Sequence, residues 1–185
     1  MSLPHRRMRL LLLKQGWIFF SVLGTMTSFT QASHLYKADV PIGSIWSCVG
    51  LSIVALGIVA LLYTAIVLQS SVRRPVKPTR QGPYALIRNP LYLSGIIINM
   101  GLVILAISVT TLDIQQAAHP QQVIMVCVAG VICYWLAARL EEPYNIARFG
   151  EEYRAYAKEV PRMDLIRGWR RLSHRKSGLA RAGGR

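Results

Sequence analysis

The chain has 185 residues, the length of one domain, and 52% of them are hydrophobic against 16% charged; that balance leaves too little polar surface for a small soluble domain. A net charge of +14 raises nucleic acid as a partner, but the placement of the charge argues against it. Of 22 Lys and Arg, four lie in 6–14, five in 73–88 and twelve from Arg139 onward, with only Lys37 elsewhere, so the basic residues flank apolar runs instead of forming one binding face.

Residues 1–9, MSLPHRRMR, are a basic lead. The apolar run that follows looks superficially like a signal peptide, yet Lys14 and Gln15 interrupt it and no A-x-A-like site closes it. A retained span over 10–30 is expected, with Lys14 snorkelling to the inner surface and a cleaved signal as the alternative. After a polar loop at 31–44, a second apolar run covers 45–68 and carries Gly50, Ser52, Ala55 and Gly57, small residues that let helices approach closely in lipid. Residues 72–90 are basic and rich in proline, which forbids a continuous helix. Asn89-Pro90 has the form of a helix start, Asn at the N-cap and Pro at N1. A third run follows at 91–112, a short connection at 113–120, and a fourth run at 121–140.

Each run suffices for a transmembrane helix, which needs roughly 20 mostly apolar residues. The runs are continuous, unlike the alternating strands of a membrane barrel. The expected fold is therefore all-α: a polytopic membrane protein with four transmembrane helices. By the positive-inside rule both termini and the 69–90 loop are cytoplasmic, and an even number of spans agrees. The expected setting is a multi-pass protein of a membrane, most simply a bacterial inner membrane, with the excess charge against lipid headgroups. Past the last span, Ile146, Phe149, Tyr153, Tyr156, Ala157 and Val160 recur at helical spacing among charged residues, predicting a cytosolic amphipathic helix. Residues 1–166 are read as one domain and 167–185 as a basic tail, disordered or pinned to lipid. The three cysteines show no CxxC and no Cys/His ligand spacing; they are read as packing residues, and no metal site is expected.

Two polar clusters meet the cytoplasmic face. One is RQGPYALIRNPLYLSG at 80–95; the other is Glu141-Glu142 at the end of the fourth run. Spans three and four form an antiparallel hairpin, which sets Asn89–Tyr92 beside Glu141–Glu142 at one depth. Adjacent carboxylates at a helix C-terminus repel each other and face the negative end of the dipole, so Arg88, Arg139, Arg148 or a cationic ligand is expected to compensate. Taken singly, the carboxylates also read as a solvated span terminator, and Tyr84 and Tyr92 as an interfacial aromatic belt.

The succession GPYALIRNPLYLSG, a helical hairpin, EE, and FGEEYRAYAKEVPR resembles the isoprenylcysteine carboxyl methyltransferase family and the related phospholipid N-methyltransferases. The resemblance covers about residues 69–162. It implies S-adenosyl-L-methionine-dependent methyl transfer to a lipophilic substrate at the cytosolic membrane face. Tyr84 and Asn89-Pro90-Leu91-Tyr92 would line the cofactor pocket and Glu141 would bind cofactor polar groups. Gln69, Val76 and Thr79 fall where the family also contacts cofactor. Arg139 or Arg88 would orient a substrate acid; an amine substrate would need deprotonation, for which Glu142 or a tyrosine is the candidate. Asn89 stands where the family has histidine, and Ala137 stands near the place of a family arginine, which puts the carboxyl-substrate role in doubt. In-line methyl transfer needs mainly positioning and electrostatics, so the absence of a Ser/His/Asp set is expected. The partners implied are a substrate entering from the bilayer and membrane lipids; the methyl acceptor and the oligomeric state stay open. A phospholipid N-methyltransferase, a non-catalytic small membrane protein and a reductase using a nicotinamide cofactor are the alternatives.

Overall fold

The computed structural model describes residues 12, 14–16, 18–27, 44–72, 78–110 and 120–182. Among them the regular structure is entirely helical. The described part of 12–27 forms α1. It is followed by α2 (Ile45–Val72), α3 (Pro83–Leu86), α4 (Pro90–Thr110), α5 (Pro120–Phe149), α6 (Glu151–Glu159) and α7 (Leu165–Ala182). Two helices are long and apolar enough to cross a membrane, Ile45–Ser70 and Pro90–Ser108. The first and fourth runs, expected as further spans, are helical where described and pack against this pair.

α2 and α4 run antiparallel at close range because glycine lines their contact. A Cβ on Gly57 would meet the Ile98 side chain at 2.6 Å, and one on Gly101 would meet the Gly50 carbonyl oxygen at 2.9 Å. Of the four small residues singled out in the second run, Gly50 and Gly57 face α4, whereas Ser52 and Ala55 are exposed. Nearer the far end, Ser47 and Ser108 share a buried hydrogen bond of 3.0 Å. The outer side of α2 leaves Leu56, Val59, Leu62 and Ile66 exposed, a continuous apolar face that water would penalise and lipid would not.

α4 and α5 form the second antiparallel pair. Tyr134 fills the space over Gly95, where a Cβ would lie 2.5 Å from its ring, and Tyr92 packs with Tyr134, Ala137 and Ala138. In this register the start of α4 stands opposite residues 141–142. α1 lies along α5, with Gly24 against Tyr134 and Gly16 against Leu140.

Two expectations are revised. The helix that holds the last apolar run does not end with it near Leu140: α5 continues through Pro143 to Phe149. Proline lacks the N–H that would bond the Arg139 carbonyl, yet the helix carries on until Gly150, whose φ of 62° ends it. The amphipathic helix is thereby split into the end of α5 and α6. The tail expected at 167–185 to be disordered or pinned to lipid is helical as far as Ala182, in a helix that starts at Leu165. It is docked through Gly168, where a Cβ would lie 2.2 Å from the Leu86 carbonyl oxygen; only glycine admits that approach.

Candidate functional site

The site is assembled from three short segments. Gly82, at φ 54°, turns the chain and Pro83 starts the single-turn helix α3, which buries Tyr84. The chain then extends through Ile87 to Asn89, whose carbonyl oxygen accepts from the Leu93 N–H at 3.3 Å and begins α4.

The VPR segment docks on this turn through the backbone. The Arg88 N–H donates to the Pro161 carbonyl at 2.9 Å, and the Asn89 N–H donates to the Arg162 carbonyl at 3.1 Å. A third tie comes from α6, where the buried Tyr156 hydroxyl donates to the Tyr84 carbonyl at 2.8 Å. Tyr156 packs edge-on against Tyr153 and beside Val160 in a small core supported by Ile146 and Phe149. The loop, the end of α5 and the VPR segment are therefore one rigid unit.

Glu142 closes that unit electrostatically. One carboxylate oxygen takes Arg88 and the other takes Arg162. The charge crowding expected at the end of the fourth run is met here, by Arg88 as anticipated and by Arg162, which was not. Burial, and then the like charges of Arg88 and Arg139, lower the pKa of the Arg162 guanidinium. Removing Glu142 would leave those cations facing each other.

Glu141 has a different environment. Asn145, one turn on, donates to it at 3.2 Å and the Tyr92 hydroxyl donates as well, while Ser21 of α1 donates to Tyr92 at 3.3 Å. Among the described residues no cation pairs with it. Burial raises the Glu141 carboxyl, and the two donors only partly offset this. Tyr84 is raised by burial and then by the charge of Glu141; Tyr156 is raised by burial and then by Tyr153 and Tyr84. These phenols stay protonated, so neither is a base, and the Tyr156 hydroxyl acts as a donor.

Of the residues carried over from the family, Tyr84, Asn89, Pro90, Leu91, Tyr92 and Glu141 are brought together, all buried or half-buried. Thr79 is half-buried in the segment leading to α3, Gln69 is exposed on the last turn of α2, and Val76 lies outside the described residues. Arg139 is exposed, with its guanidinium 4.5 Å from the centre of the Trp135 ring. Glu142, named as a base, is occupied by two arginines, and Glu141 is the carboxylate left to face the tyrosines. Sequence reasoning missed the roles of Arg162, Tyr156 and Asn145. Only Asn145 had a usable signal, its i+4 spacing from Glu141 on one helix face.

S-adenosyl-L-methionine offers an ammonium, a sulfonium, a carboxylate and a ribose diol. The residues fit that set. Glu141 is a buried carboxylate with neutral partners, suited to an ammonium or a diol, and the Nε groups of Arg88 and Arg162 are buried donors without hydrogen-bond partners among the described residues, suited to a carboxylate. No family model matches the chain, and neither the characterised proteins nor the solved structures give a match.

Proposed function

We propose that this chain is an integral-membrane methyltransferase that uses S-adenosyl-L-methionine and acts on a lipophilic substrate at the cytosolic face. One observation carries the proposal. The three sequence elements that resemble the isoprenylcysteine carboxyl methyltransferases, with Arg88 and Arg162 74 positions apart, meet at one place through Arg88–Glu142, Arg162–Glu142 and Tyr156–Tyr84.

In this proposal α1, α2, α4 and the apolar part of α5 are four spans, with both termini in the cytoplasm as the Lys/Arg distribution favours. Tyr84, Asn89 and Tyr92 wall the cofactor pocket, and Glu141 holds its polar groups. The bound cofactor supplies a methyl group activated on a sulfonium. The protein's part is to hold that group in line with the acceptor and to keep water out, functions of position rather than of proton transfer. Arg88 is held by Glu142, and Arg139 turns to Trp135; neither is set up to receive a substrate carboxylate by itself. An acceptor that must lose a proton would not find its base in Glu142, whose two oxygens are held by Arg88 and Arg162.

Calorimetric titration of the detergent-purified protein with S-adenosyl-L-methionine tests the proposal. The parent protein binds. Glu141→Ala and Tyr92→Ala each weaken binding by about tenfold or more, the worth of a charge-assisted hydrogen bond. Absence of binding by the parent protein overturns the methyltransferase assignment. Labelled cofactor with membrane extracts then identifies the acceptor.

A further inference from the structure

The C-terminal helix α7 has a face that its docking leaves open. Gly168 and Arg171 are turned toward α3: Gly168 packs on the Leu86 carbonyl, and Arg171 donates to the Ala85 carbonyl. Helical spacing puts Leu165 and Trp169 on one side of that contact and Arg167 and His174 on the other, with Ile166 and Arg170, one turn apart, between them on the face away from α3. The three apolar side chains are 45%, 69% and 70% exposed. A lone exposed leucine means nothing, but an indole and two branched aliphatics on one face form a surface that water disfavours.

Position and charge decide what covers this face. Met163, just before the helix, packs on the Tyr92, Tyr134, Ala137 and Ala138 cluster. On the other side, Gly82 at the head of α3 rests against Tyr63 and Val67 of α2. The first turns of α7 are thus fixed at the level where α2, α4 and α5 end. If those helices cross a bilayer, that level is the headgroup boundary, where tryptophan is favoured. The helix carries Arg167, Arg170, Arg171, Arg175, Lys176 and Arg181 and no Asp or Glu. A cationic helix with an exposed apolar edge at that depth matches an anionic lipid surface.

We propose that α7 is an interfacial helix whose Leu165–Ile166–Trp169 edge enters the headgroup region of an anionic bilayer, with Arg167 and Arg170 on the lipid phosphates. The proposal rests on the membrane placement of α2 and α4 and not on the methyltransferase assignment.

The test uses the full chain, with its three native cysteines replaced by alanine, reconstituted into lipid nanodiscs. Single cysteines at Ile166→Cys, Trp169→Cys, Arg170→Cys and His174→Cys carry a small environment-sensitive fluorophore. Discs contain phosphatidylcholine alone or mixed with phosphatidylglycerol, each with and without brominated chains. The expected result in the mixed discs is strong lipid quenching at position 169, intermediate quenching at 166 and 170, which are neighbours on one face of the helix, and little at 174. In neutral discs the quenching at 166 and 169 falls by about threefold or more, as befits an attraction built from several cationic side chains. An Arg167→Glu/Arg170→Glu variant loses the difference between the two lipids. Equal quenching in both lipids overturns the anionic partner. Labels protected from aqueous iodide yet untouched by brominated lipid mean a protein surface, a second copy included, and overturn the proposal; so do labels open to iodide in both discs. A label at Val59→Cys, on the outer side of α2, separates the two levels. It must be quenched by lipid in every disc, and if it is not, the membrane placement itself has failed.

Discussion

Glu142 receives an arginine on each carboxylate oxygen, and the two cations come from segments 74 positions apart. Breaking such a partly buried network by removing its centre costs far more than an exposed pair would. Glu142→Gln is expected to destabilise the detergent-purified protein by about 3 kcal/mol, read as a drop in thermal midpoint and as faster cleavage after Arg162. Tyr156→Phe removes a buried donor from the Tyr84 carbonyl and is expected to cost about 1–2 kcal/mol. Glu141 gives a pH signature of the opposite kind to an ion pair. Its folded-state pKa lies above the ordinary carboxyl value of 4.5, so from pH 4.5 upward the folded state binds more protons than the unfolded. Its contribution to stability therefore falls as pH rises through that window. Glu141→Gln is expected to flatten this part of the curve of thermal midpoint against pH; an unchanged slope would show that Glu141 is not the group responsible.

At the scale of elements, the fold depends on close approaches that only glycine permits. Gly57→Leu would place a side chain where Ile98 already stands. It is expected to cost about 2 kcal/mol by overpacking and to loosen α2 from α4, seen as a lower midpoint and new protease sensitivity. Gly168→Val would drive α7 off the Leu86 carbonyl while leaving the spans intact. Its signature is a loss of protection confined to α3 and α7 in hydrogen exchange. The short α3 is held from two sides, by Tyr156 on the Tyr84 carbonyl and by Arg171 on the Ala85 carbonyl. A four-residue helix has no stability of its own, so its geometry is set by these outside donors.

For the whole molecule, the proposed orientation has a direct test. In intact cells expressing a cysteine-free background, Lys37→Cys is expected to react with a membrane-impermeant maleimide and Arg80→Cys is not. The reverse labelling would invert the topology. Arg80 is a suitable probe because its contacts are exposed ones, a 3.8 Å approach to Glu159 and a 3.3 Å hydrogen bond to the Glu152 carbonyl.

Helical class, the two long apolar helices and the meeting of Asn89–Tyr92 with Glu141–Glu142 were legible in the residues alone. Apolar run length and proline placement act locally, and a short connection between two helices forces an antiparallel register that pairs one helix's start with the other's end. The allocation of partners was not legible. Two adjacent glutamates are alike in sequence, yet Glu142 meets Arg88 and Arg162 while Glu141 meets Asn145 and Tyr92, because successive positions on a helix point about 100° apart and only the packed neighbours give those directions different chemistry. The tail shows the same limit. RGWRRLSHRKSGLARA reads from its composition as a basic run, disordered or pinned to lipid; the helical spacing of Leu165, Trp169 and Leu172 is local, but where the helix docks, Gly168 against the Leu86 carbonyl, is a long-range contact that no local pattern announces.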